Sequence, residues 1–259
     1  MTSSWSDAAL VLVGHGSSTL QDASFPTRAL ARTIREAGLF AEVACCFHKE
    51  APALADGLSL VRSRRVFVVP NFIGEGYYTR DLIPRAMGLS GPLTLLADGD
   101  GQRIVHYARP VGTHPRVASL IADRAARHAD EQGWTTKQSS LLLIGHGSAR
   151  PGGAATTPEA IAVAIREQHR FAEVKTAFLE QYPFAHDWRD IVTRRQVLVA
   201  PLLVSQGMHA SRDLPALFDA PGTGAADAFR AALCPLLGTE PAMMDLILDK
   251  VREAEGSRP

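Results

Sequence analysis

Leu141-Leu-Leu-Ile-Gly-His-Gly-Ser148 repeats Leu10-Val-Leu-Val-Gly-His-Gly-Ser17 almost letter for letter. A short apolar run that stops at glycine reads as a buried strand handing the chain to a loop. Found twice, it makes the chain two copies of one unit. Adding 131 to a residue number carries the first copy onto the second without a gap from Leu10 to Gly76. His15 then falls on His146, Phe40-Ala-Glu-Val43 on Phe171-Ala-Glu-Val174, Phe47 on Phe178, Pro52 on Pro183, Pro70 on Pro201 and Gly76 on Gly207. The copies part company where side-chain chemistry matters: Lys49 stands opposite Glu180, and Tyr78 opposite His209. The second copy offers two imidazoles and a carboxylate where the first offers one imidazole, an ammonium and a phenol.

Working outward, apolar runs bounded by glycine or proline alternate with helical patterns, the signature of βαβ units in an α/β fold with parallel sheets. The expected strands are 9–13, 42–47 and 65–70 in the first copy, and 141–144, 173–179 and 197–203 in the second. Helices are expected over 27–37 and 158–168, the second with Pro158 in its first turn, where a missing N–H costs nothing. A fourth strand is expected to include Leu93–Ala97 in the first copy, and is poorly defined in the second. Gly112-Thr-His-Pro115 recurs as Gly238-Thr-Glu-Pro241, now offset by 126, and each opens a terminal helix, 116–128 and 242–253. The change in offset puts a length difference between Gly76 and Gly112, expected in a surface loop. With a polar linker over 130–140, the reading is two domains, 1–132 and 133–259. The loop Asp98-Gly-Asp-Gly101 lacks EF-hand spacing and reads as a turn.

Composition narrows the function classes. The chain has 259 residues, 46% of them hydrophobic and 21% charged, enough to bury two ordinary cores. Lys plus Arg equals Asp plus Glu, 27 against 27, so no overall field draws the protein to nucleic acid or to an anionic membrane. The first residues lack a basic segment, no apolar run is long enough to span a bilayer, and a cytoplasmic location is expected. Cys45, Cys46 and Cys234 are odd in number and lack CxxC spacing, which argues against a disulfide framework, a zinc ribbon or an iron–sulfur cluster and for buried thiols.

In an open parallel sheet, ligands bind beyond the carboxyl ends of the strands. His146 follows the first strand of the second copy, Glu180 follows the second, and His209 lies in the loop after the third. Two imidazoles and a carboxylate suit a divalent transition ion, and the same groups accept protons. Each residue taken alone also has a plain structural reading: His146 a turn residue, Glu180 a solvated carboxylate, Ser148 a helix N-cap. Their convergence on one sheet edge favours a site. His186 lies near it in sequence. His106, His128 and His169 read as structural, the last two at helix ends.

Gly-His-Gly-Ser148 after a first strand, Ala-Phe-Leu-Glu180 after a second, and Ala200-Pro-Leu-Leu-Val-Ser-Gln-Gly-Met-His209 followed by Asp213-Leu-Pro215 after a third resemble the CbiX-type sirohydrochlorin chelatases. These are ATP-independent relatives of the ferrochelatases, and their long members are tandem repeats. The resemblance spans essentially the whole chain. It implies two flavodoxin-like lobes with a flat tetrapyrrole held between them, and insertion of a divalent metal as substrate, Co²⁺ first and Fe²⁺ or Ni²⁺ otherwise. Neither ATP nor an Fe–S cluster is implied. His146 and His209 take the places of the family's metal-binding and proton-accepting histidines, and Glu180 that of its acid. Well-known two-domain members keep these residues in the first half, so the lobes' roles are reversed here.

An octacarboxylate substrate calls for cations. Arg150 and Arg212 flank the two second-copy histidines, with Ser148 beside them. The first copy is read as a carboxylate clamp lined by Lys49, Tyr78, Arg80 and His15, against the plain alternative of ordinary surface charges. Glu50, one residue past Lys49, is not counted as a replacement acid unless the loop has already begun there. Two other functions stay open: a non-catalytic protein that binds and delivers a metal or a finished metallotetrapyrrole, and phosphate-ester chemistry at a Gly-Ser helix start. Phosphohistidine hydrolases, however, place arginine before the His-Gly pair, where Gly14 and Gly145 stand. A tandem repeat can do in one chain what single lobes do by dimerising, so a monomer is expected, with a homodimer the alternative.

Overall fold

A computed structural model describes residues 5–20, 23–99, 101–148, 155–203, 214–219 and 229–256. In chain order the elements are β1 (Trp5–Gly14), α1 (Phe25–Glu36), β2 (Phe40–Phe47), β3 (Arg65–Pro70), α2 (Ile83–Met87), β4 (Leu93–Asp98), β5 (Gly101–Tyr107) and α3 (Arg116–Glu131). The second copy continues with β6 (Ser139–Gly145), α4 (Thr156–Arg166), β7 (Glu173–Phe178), α5 (Trp188–Ile191), β8 (Gln196–Pro201), α6 (Leu214–Asp219), β9 (Arg230–Leu233) and α7 (Met243–Gly256). The first sheet has the order β2-β1-β3-β5-β4 and the second β7-β6-β8-β9. All pairings are parallel except β4 with β5.

The expected α/β class with parallel sheets is thus found, and the strand that β1 opens is longer than its apolar run. Trp5 extends it by stacking on Phe40, ring centroids 5.0 Å apart, with a register irregularity between Trp5 and Ala9. The fourth strand of the first copy is found where expected, as β4, and differs from the others in direction. Leu93–Ala97 lies in an antiparallel edge strand, and the parallel neighbour of β3 is β5. Asp98 pairs with Gly101 across the turn between them. The alternating exposure of Leu93–Asp98 marks an edge strand, whereas the parallel strands β1, β3 and β6 are buried on both faces and read as continuous apolar runs.

Each sheet carries a core on its faces. In the first, Val11, Val13, Val66 and Val68 pack with Ile83 and Met87; in the second, Leu142, Ile144, Val197 and Val199 pack with Trp188, Leu214 and Phe218. The shared Phe-Ala-Glu-Val motif serves the fold. Glu42 accepts hydrogen bonds from the backbone N–H of Arg62 and Ser63 and from the Ser63 hydroxyl. Its counterpart Glu173 accepts from the Ser140 hydroxyl and the Thr193 N–H, both at 2.6 Å. Burial works to raise both carboxyls, but these donors win and hold each below the usual range.

By compactness the chain divides into 1–114 with 241–259, and 115–240. The sequence repeat divides instead at 132/133. The difference is the exchange of the terminal helices: α7 packs on α1, β3 and β5, while α3 packs on α4 and β8. His114 sits 3.3 Å from Asp249 of α7, and Arg127 of α3 pairs with Glu240 at 3.0 Å. "First lobe" and "second lobe" below denote these units. Cys45, Cys46 and Cys234 are free thiols, the last two buried and each pushed up to about 12 by that burial.

Candidate active site

Because β6, β7 and β8 run parallel, their carboxyl ends deliver His146, Leu179-Glu180 and Leu202 to one edge of the second sheet. The backbone ties are short: Glu180 N–H donates to the His146 carbonyl at 2.9 Å, Leu179 N–H to Gly145 at 3.1 Å and Leu202 N–H to Ile144 at 2.8 Å. The first lobe repeats them as Lys49 to His15 at 2.9 Å, His48 to Gly14 at 3.2 Å and Asn71 to Val13 at 2.8 Å.

The two glycines of Gly-His-Gly have separate tasks. A Cβ on Gly145 would lie 2.9 Å from the Phe178 ring, as one on Gly14 would from Phe47, so glycine admits the aromatic residue that ends the neighbouring strand. Gly147 has φ +76 and Gly16 φ +66, left-handed conformations that a Cβ penalises. The histidine between is held at the sheet edge by both constraints.

His146 Nδ1 lies 3.2 Å from the Gly147 carbonyl, and His15 Nδ1 2.9 Å from that of Gly16. With Nδ1 donating to that oxygen, Nε2 carries the lone pair, the tautomer suited to ligating an ion or taking a proton. Glu180 Oε2 is 3.8 Å from His146 Nδ1, and the two side chains are 53% and 47% exposed. His209, Arg150 and Arg212 lie outside the described residues. Among the described residues no three His, Cys, Asp or Glu side chains gather closely enough to hold an ion.

The first-lobe edge has a different content. His15, His48 and Tyr78 form a triangle of rings with centroids 5.7, 5.3 and 5.3 Å apart, backed by Phe72 at 6.2 Å from Tyr78. Tyr78 opens a π-helical turn, Tyr78–Leu82, of the kind often found at functional positions. Burial, with Lys49 and His15 nearby, lowers the His48 pKa and favours its neutral form. Sequence reasoning missed His48, which stands opposite Leu179; the signal was a second imidazole beside Lys49 in the same ungapped register.

β2 ends at Phe47, so the loop has begun before Glu50. Glu50 nevertheless does not take the place of Glu180. It accepts the Ser17 N–H at 3.1 Å and pairs with Arg28 at 2.8 Å, closing the loop between β1 and α1. Burial raises its carboxyl, but the hydrogen bonds from Ser24, Arg28 and Ser17 outweigh that and leave its pKa lowered. Lys49 itself is exposed. Arg80 is engaged rather than poised: Glu75 holds it at 3.1 Å and Arg109 at 2.6 Å. The N-cap expectation for Ser148 is also corrected, because α4 starts at Thr156 with Ala155 as its cap. His186 stacks on Phe184 at 5.1 Å and lies 3.5 Å from Asp187. The remaining histidines are structural as expected: His106 stacks on Phe67 at 4.9 Å, His128 pairs with Glu131 at 2.9 Å near the end of α3, and His169 takes a positive φ just past α4.

Comparison with known proteins bears on the family and the fold. Residues 9–128 and 140–254, one span per repeat, each match the CbiX family. A Halobacterium salinarum protein described as a probable sirohydrochlorin cobaltochelatase is 35% identical over 95% of this chain and 91% of its own length. A multi-domain Deinococcus radiodurans protein, described as structurally similar to chelatases with two additional novel domains, superposes with TM-score 0.76 at 30% identity over 97% of this chain; this chain spans 56% of that one. Two further structures share the fold over 95% and 96% of the chain at TM-score 0.71: CbiX, described as the terminal enzyme of siroheme biosynthesis in denitrifying bacteria, at 24% identity and 99% of its length, and SirB from Bacillus subtilis with Fe³⁺, at 19% and 96%. With both repeats matched and the two-sheet fold shared throughout, the chain belongs to the CbiX family.

Proposed function

We propose that this protein inserts a divalent metal into sirohydrochlorin or a closely related tetrapyrrole without ATP, with Co²⁺ its first substrate ion and Fe²⁺ or Ni²⁺ its alternatives. The observation that carries the reading is the His146–Glu180 pair, 3.8 Å apart at the carboxyl edge of the second sheet. The Halobacterium relative's description supplies the substrate class.

Insertion requires an ion stripped of part of its water, a ring bent enough to expose its nitrogen lone pairs, and acceptors for two pyrrole protons. His146, Glu180 and His209 are assigned to both tasks in turn: they replace water on the arriving ion, and they take the protons as the ion passes to the ring nitrogens. Charge balances, since the dication enters as two protons leave. Contacts to the ring's periphery supply the energy of bending. Arg150, Arg212 and Ser148 are assigned to the substrate carboxylates beside the second-lobe histidines, and Lys49, Tyr78 and His15 to anion binding at the first-lobe edge. Arg80 drops to a supporting role because Glu75 neutralises it.

The test is anaerobic absorption spectroscopy of sirohydrochlorin with Co²⁺ and catalytic amounts of protein. Conversion to the metallated spectrum over many turnovers, lost in His146→Ala and His209→Ala, is the expected result. Stoichiometric binding of the ion or macrocycle without turnover would replace the chelatase reading with a delivery protein.

A further inference from the structure

The repeat provides an internal control for the loop after each second strand. In both lobes the chain leaves the strand and passes a cis-proline bond, Ala51-Pro52 or Tyr182-Pro183. In both it returns beside the strand end: Phe47 N–H donates to Pro52 and Phe178 N–H to Pro183, each at 2.8 Å, with parallel bridges Phe47–Ala53 and Phe178–Phe184. The backbone is the same, but the side chains are not. The first lobe carries Ala51, Ala53 and Ala55 where the second carries Tyr182, Phe184 and His186.

Three alternate positions have thus become rings on one lobe only. Tyr182 is 77% exposed, an expense of apolar surface that the fold does not require, since three alanines serve the same turn opposite. The rings are organised among themselves: Tyr182 meets Phe184 edge-on at 6.4 Å, and His186 lies nearly parallel to Phe184 at 5.1 Å, 13° between the planes. His186 thus backs the Phe184 ring. The strip begins two residues beyond Glu180, and Phe184 borders Phe178, the strand partner of Gly145. Ring faces at such a place suit a large flat π-system, which aromatic side chains bind by offset stacking or edge-to-face contact.

We propose that Tyr182 and Phe184, propped by His186, form the platform on which the second lobe seats the macrocycle next to His146 and Glu180, and that they set affinity for the ring without touching the metal. The inference rests on the tetrapyrrole reading above. It assigns positioning residues, so its readout is the macrocycle term alone.

Metal-free sirohydrochlorin is titrated by fluorescence into the full-length protein and into Tyr182→Ala and Tyr182→Ala/Phe184→Leu, and the KM for Co²⁺ is measured in parallel. Stacking contacts of this kind predict a Kd for the macrocycle roughly tenfold weaker in the double variant and about threefold weaker in Tyr182→Ala, with the Co²⁺ KM unchanged. Tyr182→Ala removes an exposed ring, so folding is not in question for it. Unchanged macrocycle affinity in both variants, with the wild type binding and metallating normally, overturns the platform and leaves the chelatase reading standing. A wild type that neither binds nor metallates the macrocycle overturns both. A change in the Co²⁺ KM equal to that in the macrocycle Kd would place these residues in the ion site and also sink the proposal.

Discussion

The two sheet edges of this protein share a backbone and differ in chemistry. Each has a histidine between two glycines, an aromatic residue packed on the first glycine, and a loop that returns through a cis-proline bond. At the second edge a carboxylate stands 3.8 Å from the imidazole; at the first, a lysine occupies that position, and rings of His48 and Tyr78 crowd the histidine instead. The backbone elements that fix where a side chain appears are held in both copies. What appears there has been free to change, so a duplicated scaffold separates the geometry of a site from its content.

The comparison is broken most directly by exchanging the importance of the two histidines. His146→Ala should lower kcat for metallation by about 100-fold or more, the usual scale for a lost proton acceptor. His15→Ala should act chiefly on the macrocycle KM, by less than about tenfold. Steady-state kinetics on both variants decide it, and the opposite ranking would return the working site to the first lobe.

Next in size is the backbone that presents the histidine. A methyl group on Gly147 would sit 2.8 Å from Gln181 Cβ and 2.9 Å from Phe178 Cβ at φ +76. Gly147→Ala should therefore cost about 2 kcal/mol of stability, and Gly16→Ala, which meets Glu50 Cγ at 2.7 Å and has φ +66, should cost about as much. Urea unfolding measures both. On the proposed assignment of the chemistry to His146, only Gly147→Ala should also depress turnover.

The repeat made the fold legible, since an ungapped register with apolar strands and glycine stops leaves few architectures open. The strands buried on both faces were readable to within a residue or two at most ends. Leu93–Ala97 was harder: an edge strand has half its surface in water, and its alternating pattern does not reveal whether its neighbour runs parallel. The exchanged helices α3 and α7 were invisible for a different reason. An amphipathic helix declares that it has an apolar face, not which of two similar sheets that face covers. At the site, Glu180 was findable because it differs in kind from its counterpart Lys49, and His146 because the repeated Gly-His-Gly sets it, like His15, at a strand end. Glu50 was not, since its role as a loop clasp depends on Arg28 and the Ser17 N–H, partners that only the folded chain brings to it.

Acid stability sharpens the comparison by testing what the copies share. Glu42 and Glu173 both have lowered pKa values from the hydrogen bonds they accept. A carboxyl with a folded pKa below its unfolded value stabilises fully above the unfolded value, about 4.5, and loses that contribution as pH falls through the folded one. Glu173→Gln and Glu42→Gln should each lose about 1 kcal/mol at pH 7 and progressively less as the pH falls below the unfolded value, so that wild type and variants converge in acid. Thermal melts between pH 3 and pH 7 test this, and a constant gap across that range would show that the charge is not what the two loops need.

The smallest effect is expected at Arg80, and its smallness carries information. Glu75 is gripped by Arg109 at 2.6 Å and by Arg80 at 3.1 Å, and the hydrogen bond from Arg109 leads in lowering its pKa. Removing Arg80, 61% exposed, leaves the carboxylate still paired. Arg80→Ala should therefore change stability by no more than ~0.5 kcal/mol, as for exposed ion pairs generally, and macrocycle affinity by less than about twofold. Lys49→Ala is the contrasting variant, with a cation in the position of Glu180 and a larger expected loss of affinity, about three- to fivefold for one exposed charge. If Arg80→Ala weakens binding as much as Lys49→Ala does, Glu75 does not neutralise Arg80 in solution, and the first-lobe edge is a broader anion-binding surface than its ion pairs imply.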